Sequence, residues 1–202
     1  MAIDAGANAI GLVSAMPSGP GVVAEEEIAR IAATVPPGIG TFLLTSEVQV
    51  EAIIAQQRRC RTNTIQFCDY VGANVYSELR AALPGIALVQ VIHVTGPESV
   101  ALAVAAAPGV DAILLDSGNP TLATKELGGT GRTHDWALSR RIRDAIEKPL
   151  FLAGGLTPAN VADAINAVEP FGIDLCSGVR TNDRLDPVKL RSLFAALPKD
   201  AA

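Results

Sequence analysis

Gly128-Gly129-Thr130-Gly131-Arg132-Thr133-His134-Asp135-Trp136 puts three glycines, two potential acid–base side chains and the only tryptophan into nine residues. Glycine-rich loops let backbone N–H groups approach an anion or a substrate closely. An acid at the end of such a loop, here Asp135, is placed for proton transfer; a surface loop ending in an Asp helix cap would read the same way. Arg132 could hold an anionic group of a substrate, or be a solvated loop arginine.

Two further stretches bear on anion binding. Gly154-Gly155 follows an apolar run and precedes Leu156-Thr157-Pro158; Cys176-Ser177-Gly178 follows another apolar run. Free N–H groups at such turns, with a helix N-terminus beside them, attract phosphate without needing a lysine. Asp174 lies two residues before Cys176, so strand alternation directs both to the same side. It is either a site carboxylate or a core carboxylate in an ion pair. Cys68, Cys176, His93 and His134 could be reactive, but buried small thiols and hydrogen-bonded histidines are the commoner fates of such residues.

The elements that must position these residues repeat at intervals of about 25–30 residues, a spacing suggesting right-handed parallel crossovers. Apolar runs predict strands at 9–13, 40–44, 63–67, 86–92, 111–115, 149–153 and 171–176. Amphipathic segments predict helices at 24–34, 47–59 (capped by Thr45-Ser46), 73–83, 97–107, 137–146, 158–168 and 186–197. The seven strands end in Ser14, Thr45-Ser46, Cys68-Asp69, His93, Asp116-Ser117, Gly154-Gly155 and Cys176-Ser177-Gly178. Small or polar residues at every strand end point to a barrel mouth, where parallel (β/α) barrels carry their sites. A doubly wound sheet should show a GxGxxG fingerprint after its first strand, and none is present.

Composition agrees. In 202 residues, 49% are apolar and only 4% aromatic, as in parallel sheets covered on both faces. A net charge of −5 argues against a nucleic-acid or anionic-membrane surface. No apolar run reaches the ~18 residues of a membrane span, and the N-terminus does not read as a signal peptide. Three cysteines without CxxC spacing, and two lone histidines, give no zinc pattern and suit a reducing cytoplasm. The expectation is a single domain over residues 1–202.

At 128–136 the chain resembles the phosphoribosylanthranilate isomerase family, whose signature there is Gly-Gly-Thr-Gly, a basic residue, any residue, then Phe-Asp-Trp. The similarity extends through Ala5-Gly6-Ala7-Asn8, Asp111-to-Ser117, Leu152-to-Val161 and Gly172-to-Val179. The resemblance implies a (β/α)8 TIM barrel and an Amadori rearrangement of N-(5-phosphoribosyl)anthranilate, a step of tryptophan biosynthesis. It implies a small phosphorylated sugar substrate and neither cofactor nor metal. Asp135 matches the family's general acid, Asp174 the carboxylate contacting the sugar hydroxyls, and Gly154, Gly155, Cys176, Ser177 and Gly178 the phosphate cradle.

There are departures. The family's first strand, ending in Lys-Ile-Cys-Gly with the general base, and most of its first helix have no counterpart, which accounts for seven units. The family's Ser-Pro-Arg, whose Arg holds the anthranilate carboxylate, aligns with Gly19-Pro20-Gly21. Gln-Leu-His-Gly reads Gln66-Phe67-Cys68-Asp69, the Phe before the catalytic Asp is His134, and a frequent Glu is Arg180. Two other readings use the same residues: a divergent sugar-phosphate barrel with another isomerase activity, and a non-catalytic binding paralogue. A barrel wall one strand short exposes two edges, so poor stability or a homodimer is expected.

Overall fold

The structure is a computed structural model and describes residues 1–198. Seven parallel strands alternate with helices: β1 (Ala9–Val13), α1 (Glu25–Ala32), β2 (Gly40–Thr45), α2 (Val50–Cys60), β3 (Thr64–Phe67), α3 (Ala73–Ala82), β4 (Ala87–His93), α4 (Glu98–Ala106), β5 (Ala112–Asp116), α5 (Trp136–Ala145), β6 (Leu150–Leu152), α6 (Val161–Val168) and β7 (Gly172–Ile173). A hairpin of β8 (Arg180–Thr181) and β9 (Arg184–Leu185) precedes α7 (Pro187–Ala196).

The strands pair in chain order, β1 to β7, every neighbour parallel. Among the described residues β1 and β7 each pair on one side only, apart from a single bridge between Val13 and Val22. The sheet curls, and alternation sorts its side chains into two layers. Leu88 and Ile92 of β4, Ile113 and Leu115 of β5, and Leu150 and Leu152 of β6 pack outward with helix residues such as Leu79, Ile142 and Ala164. Val89, Val91, Ala112, Leu114 and Ala153 pack inward with Phe42, Leu44 and Phe151. The (β/α) wall expected from the sequence is therefore present, with seven strands and an inner face that is largely apolar, broken in β3 by buried Thr64 and Gln66.

Local chemistry explains the helix starts. Asp186 accepts N–H bonds from Val188 (2.8 Å) and Lys189 (3.1 Å), and Pro187 occupies the first turn of α7. Three acids open α1, where the helix dipole favours negative charge.

Three expectations are corrected. Thr45 and Ser46 do not cap α2: the Thr45 hydroxyl accepts from Glu47 N at 3.0 Å in a local turn, and the helix begins at Val50. The helix expected from Pro158 begins at Val161, because Asn160 first closes a turn by accepting from Thr157 N at 2.8 Å. The last strand ends at Ile173; Asp174 N still donates to Leu152 O at 2.9 Å, but beyond it the chain turns into a short 3-10 segment, Ser177–Val179. The β8–β9 hairpin has no counterpart among the elements expected from the sequence.

Candidate active site

The inward row ends in a cavity at the C-terminal rim of the strands. Its wall includes Gly11, Leu44, Cys68, Val91, Leu114, Asp116, Ala153, Asp174 and Cys176, and it encloses about 970 Å³ counted out to the open mouth. Two loops roof it. Ser18 of the β1–α1 loop donates to Lys125 O of the β5–α5 loop at 2.6 Å. A Cβ on Gly129 would stand 2.7 Å from Pro20 Cδ, so the glycine permits that approach.

Asp116 continues the inward row of β5 and is 8% exposed. Its Oδ1 accepts from Ser117 N at 2.7 Å, and Oδ2 lies against Gly128, where a Cβ would come within 2.8 Å. Asp174 joins it from the end of β7. Burial first, and the charge of Asp116 second, push the Asp174 carboxyl from 3.8 up to about 6; the Leu175 N–H pulls the other way. Burial also pushes the Cys68 thiol well above its usual range, with Asp116 and Asp174 adding to it. Cys176 moves up by burial, with Arg180 opposing. Both thiols thus favour their protonated forms.

The rim is rigidly held. Gln90, fully buried, donates to Phe67 O (3.2 Å) and Asp69 O (3.0 Å) and accepts from the Tyr76 hydroxyl (2.7 Å), clamping the turn around Cys68. His93 Nε2 meets Cys68 O at 2.9 Å; a carbonyl only accepts, so this nitrogen carries the proton. His93 Nδ1 is buried without a partner among the described residues.

Three loops meet backbone to backbone beside this wall. Gly154 and Gly155 adopt φ of +83° and +61°. A Cβ on Gly155 would stand 2.5 Å from the Arg132 carbonyl carbon, and one on Gly178 only 1.8 Å from Leu156 O. The N–H groups of Gly154, Gly155, Ser177 and Gly178 find no acceptor among the described residues. Gly154, Gly155, Cys176 and Ser177 line the cavity; Gly178 stands just behind them.

The structure brings Asp174 and the cradle residues together but not Asp135 or Arg132. Asp135 is exposed and is the N-cap of α5: its Oδ1 accepts from Ala137 N (2.8 Å) and Leu138 N (3.3 Å). The Arg132 guanidinium pairs with Glu126 and stays outside the cavity. His134 is half-buried and packs against Gly154 instead, where a Cβ would meet its Nδ1 at 3.1 Å. Its Nε2 meets Ser139 Oγ at 2.8 Å, and the same hydroxyl reaches Asp135 O at 3.2 Å. Burial lowers the His134 pKa. Among the described residues, no three His, Cys, Asp or Glu side chains converge as metal ligands would, and no helix is long and apolar enough to cross a membrane.

Asp116, in the sequence only a strand end, and Arg180, there only a departure from the family pattern, both line the cavity. Asp116 was reachable, because it shares the inward phase of Ala112 and Leu114. Arg180 was not, because its direction is set by a hairpin without a clear pattern.

The model of the N-(5'-phosphoribosyl)anthranilate isomerase family matches residues 1–196. The isomerase of that name from Methanothrix thermoacetophila is 34% identical over 93% of this chain and 86% of its own. The one from Halobacterium salinarum is 38% identical over 88% and 79%, respectively. The phosphoribosyl anthranilate isomerase structure from Thermotoga maritima superposes with a TM-score of 0.79 at 26% identity, covering 96% of this chain and 90% of that one. A structure of the same enzyme type in complex with reduced 1-(o-carboxyphenylamino)-1-deoxyribulose 5-phosphate has a TM-score of 0.76 at 24% identity, covering 96% and 89%.

Proposed function

Since the chain belongs to the N-(5'-phosphoribosyl)anthranilate isomerase family, we propose that its cavity runs the Amadori rearrangement with Asp174 as the base. The substrate's ring oxygen takes a proton and the ribose opens to an iminium at C1. A base then removes the C2 proton to give the enolamine, which takes a proton at C1 and loses the one on its C2 hydroxyl to become 1-(2-carboxyphenylamino)-1-deoxyribulose 5-phosphate. The observation that carries this reading is Asp174. It is the carboxyl of the cavity wall displaced toward neutral pH, so near pH 7 it is ionised yet more basic than an ordinary aspartate. The N–H groups of Gly154, Gly155, Ser177 and Gly178 hold the phosphate, and Cys176 packs beside them.

Asp135 is the acid in this proposal. It takes up the role when the loop 128–135 swings it over the substrate, articulated at Gly128, Gly129 and Gly131, all at positive φ. Arg132, released from Glu126 by the same movement, is the proposed contact to the substrate. Asp135→Asn tests the acid, because asparagine caps a helix as well as aspartate does. Its melting temperature is expected to stay near that of the unmodified chain, while kcat falls by about 10²–10⁴-fold. Asp135→Ala should add a loss of about 1 kcal/mol in stability. Unchanged turnover in Asp135→Asn would remove Asp135 from the reaction.

The two strand edges left open by β1 and β7 favour self-association. Sedimentation at micromolar concentrations is expected to show a homodimer. A monomer at all concentrations, melting cooperatively at high temperature, would contradict this. The cytoplasm, whose reducing conditions suit free Cys60, Cys68 and Cys176, is the proposed setting.

A further inference from the structure

The proposed substrate carries two anions at opposite ends, a phosphate ester and an aryl carboxylate. The cradle of N–H groups answers the first. Nothing in the β5–β7 wall answers the second, since Asp116 and Asp174 would repel it. Of the cations in the loops around the mouth, Arg180 alone among the described residues lines the cavity. Lys125 pairs with Asp69, and Arg132 pairs with Glu126. Arg180 lines the cavity, and among the described residues its guanidinium has no carboxylate partner; its one hydrogen bond goes to the Asp183 carbonyl at 3.4 Å.

Arg180 reaches across the open side of the mouth. A Cβ on Gly21 would lie 3.2 Å from its Nη1 and 3.6 Å from Nη2, so the guanidinium rests on the β1–α1 loop. Gly21, at φ +84° and without a side chain, leaves that space free. The arginine is carried by a rigid base. It pairs with Leu185 in the β8–β9 hairpin, whose turn residues Asn182 and Asp183 are both left-handed, and Lys189 Nζ donates to its carbonyl at 2.7 Å. Met16, Pro20 and Leu127 of the roof offer apolar surface to an aromatic ring beside it.

We propose that Arg180 is the residue that binds the anthranilate carboxylate, reaching it from the hairpin after β7 rather than from the loop after β1. A guanidinium fork suits a planar carboxylate, and here it meets no competing acid. The assignment rests on the isomerase reading above.

Calorimetric titration separates a carboxylate contact from a phosphate contact. The probes are reduced 1-(o-carboxyphenylamino)-1-deoxyribulose 5-phosphate, its phenylamino analogue without the carboxylate, and inorganic phosphate. Arg180→Gln is expected to weaken the first by about 10–100-fold and to leave the other two within about twofold. Arg180→Lys, which keeps charge but loses the fork, should lie between, and it serves as the second variant if the glutamine form does not fold. Equal weakening of inorganic phosphate would assign Arg180 to the phosphate end and overturn the proposal. Unchanged affinity of both variants for the carboxylated probe would overturn it too, with the isomerase reading intact. Failure of the unmodified chain to bind that probe would overturn the isomerase reading itself and this assignment with it.

Discussion

Asp174→Asn is expected to cut turnover sharply and stabilise the protein at the same time. The carboxyl sits at about 6 in the folded chain against 3.8 ordinarily, so the fold holds this proton more tightly than the unfolded chain does. Stability is therefore lost as pH rises from about 4 through about 6. Each pH unit between those values removes about 1.4 kcal/mol, or roughly 3 kcal/mol in full. Asparagine carries no charge at any pH. The variant should melt higher than the unmodified chain at pH 7–8 and alike below pH 4. Its kcat/KM should drop by about 10³-fold, the usual worth of a positioned base, and the rise of kcat/KM with pH through about 6 seen in the unmodified chain should vanish. An ordinary structural carboxylate in an ion pair would show the reverse stability change. Lower stability of Asp174→Asn at pH 8 would show that the carboxylate is satisfied in the fold and is not held as a strained base.

Gly178→Ala is expected to destroy the phosphate end. The new Cβ would stand 1.8 Å from Leu156 O and 2.9 Å from its carbonyl carbon. These are backbone atoms on both sides, so no rotamer relieves the clash, and the β6 and β7 loops must separate. A forced shift of this kind costs about 3 kcal/mol or more, which for a chain near 200 residues lowers Tm by about 6–12 °C. Millimolar inorganic phosphate should raise the Tm of the unmodified chain by mass action and leave Gly178→Ala unmoved. Phosphate protection that survives in the variant would place the anion elsewhere.

The seven β/α units were legible because buried parallel strands read as apolar runs, broken by helices of a different period. The inward row was legible at β5, where Asp116 holds the phase of Ala112 and Leu114, and at Asp174, two residues beyond Gly172 of β7. Two things were hidden. One was which way a loop faces. Asp135 at the end of a glycine loop reads equally as a cap and as a site acid, and the structure shows it capping α5 because two N–H groups there need an acceptor. The other was contact between loops remote in sequence. Nothing local places Gly155 on Arg132 or Arg180 on Gly21, since these meetings depend on how the sheet curls. The hairpin that aims Arg180 has only two residues per strand and offers no periodicity to detect.

The most direct measurement is turnover of N-(5'-phosphoribosyl)anthranilate by the unmodified chain, followed as loss of anthranilate fluorescence at pH 5–8. The predicted result is catalysed conversion whose kcat/KM climbs through about pH 6, the position of the Asp174 carboxyl. Binding of reduced 1-(o-carboxyphenylamino)-1-deoxyribulose 5-phosphate without any turnover across that range would contradict it, leaving a cavity that recognises the sugar phosphate and has no working base.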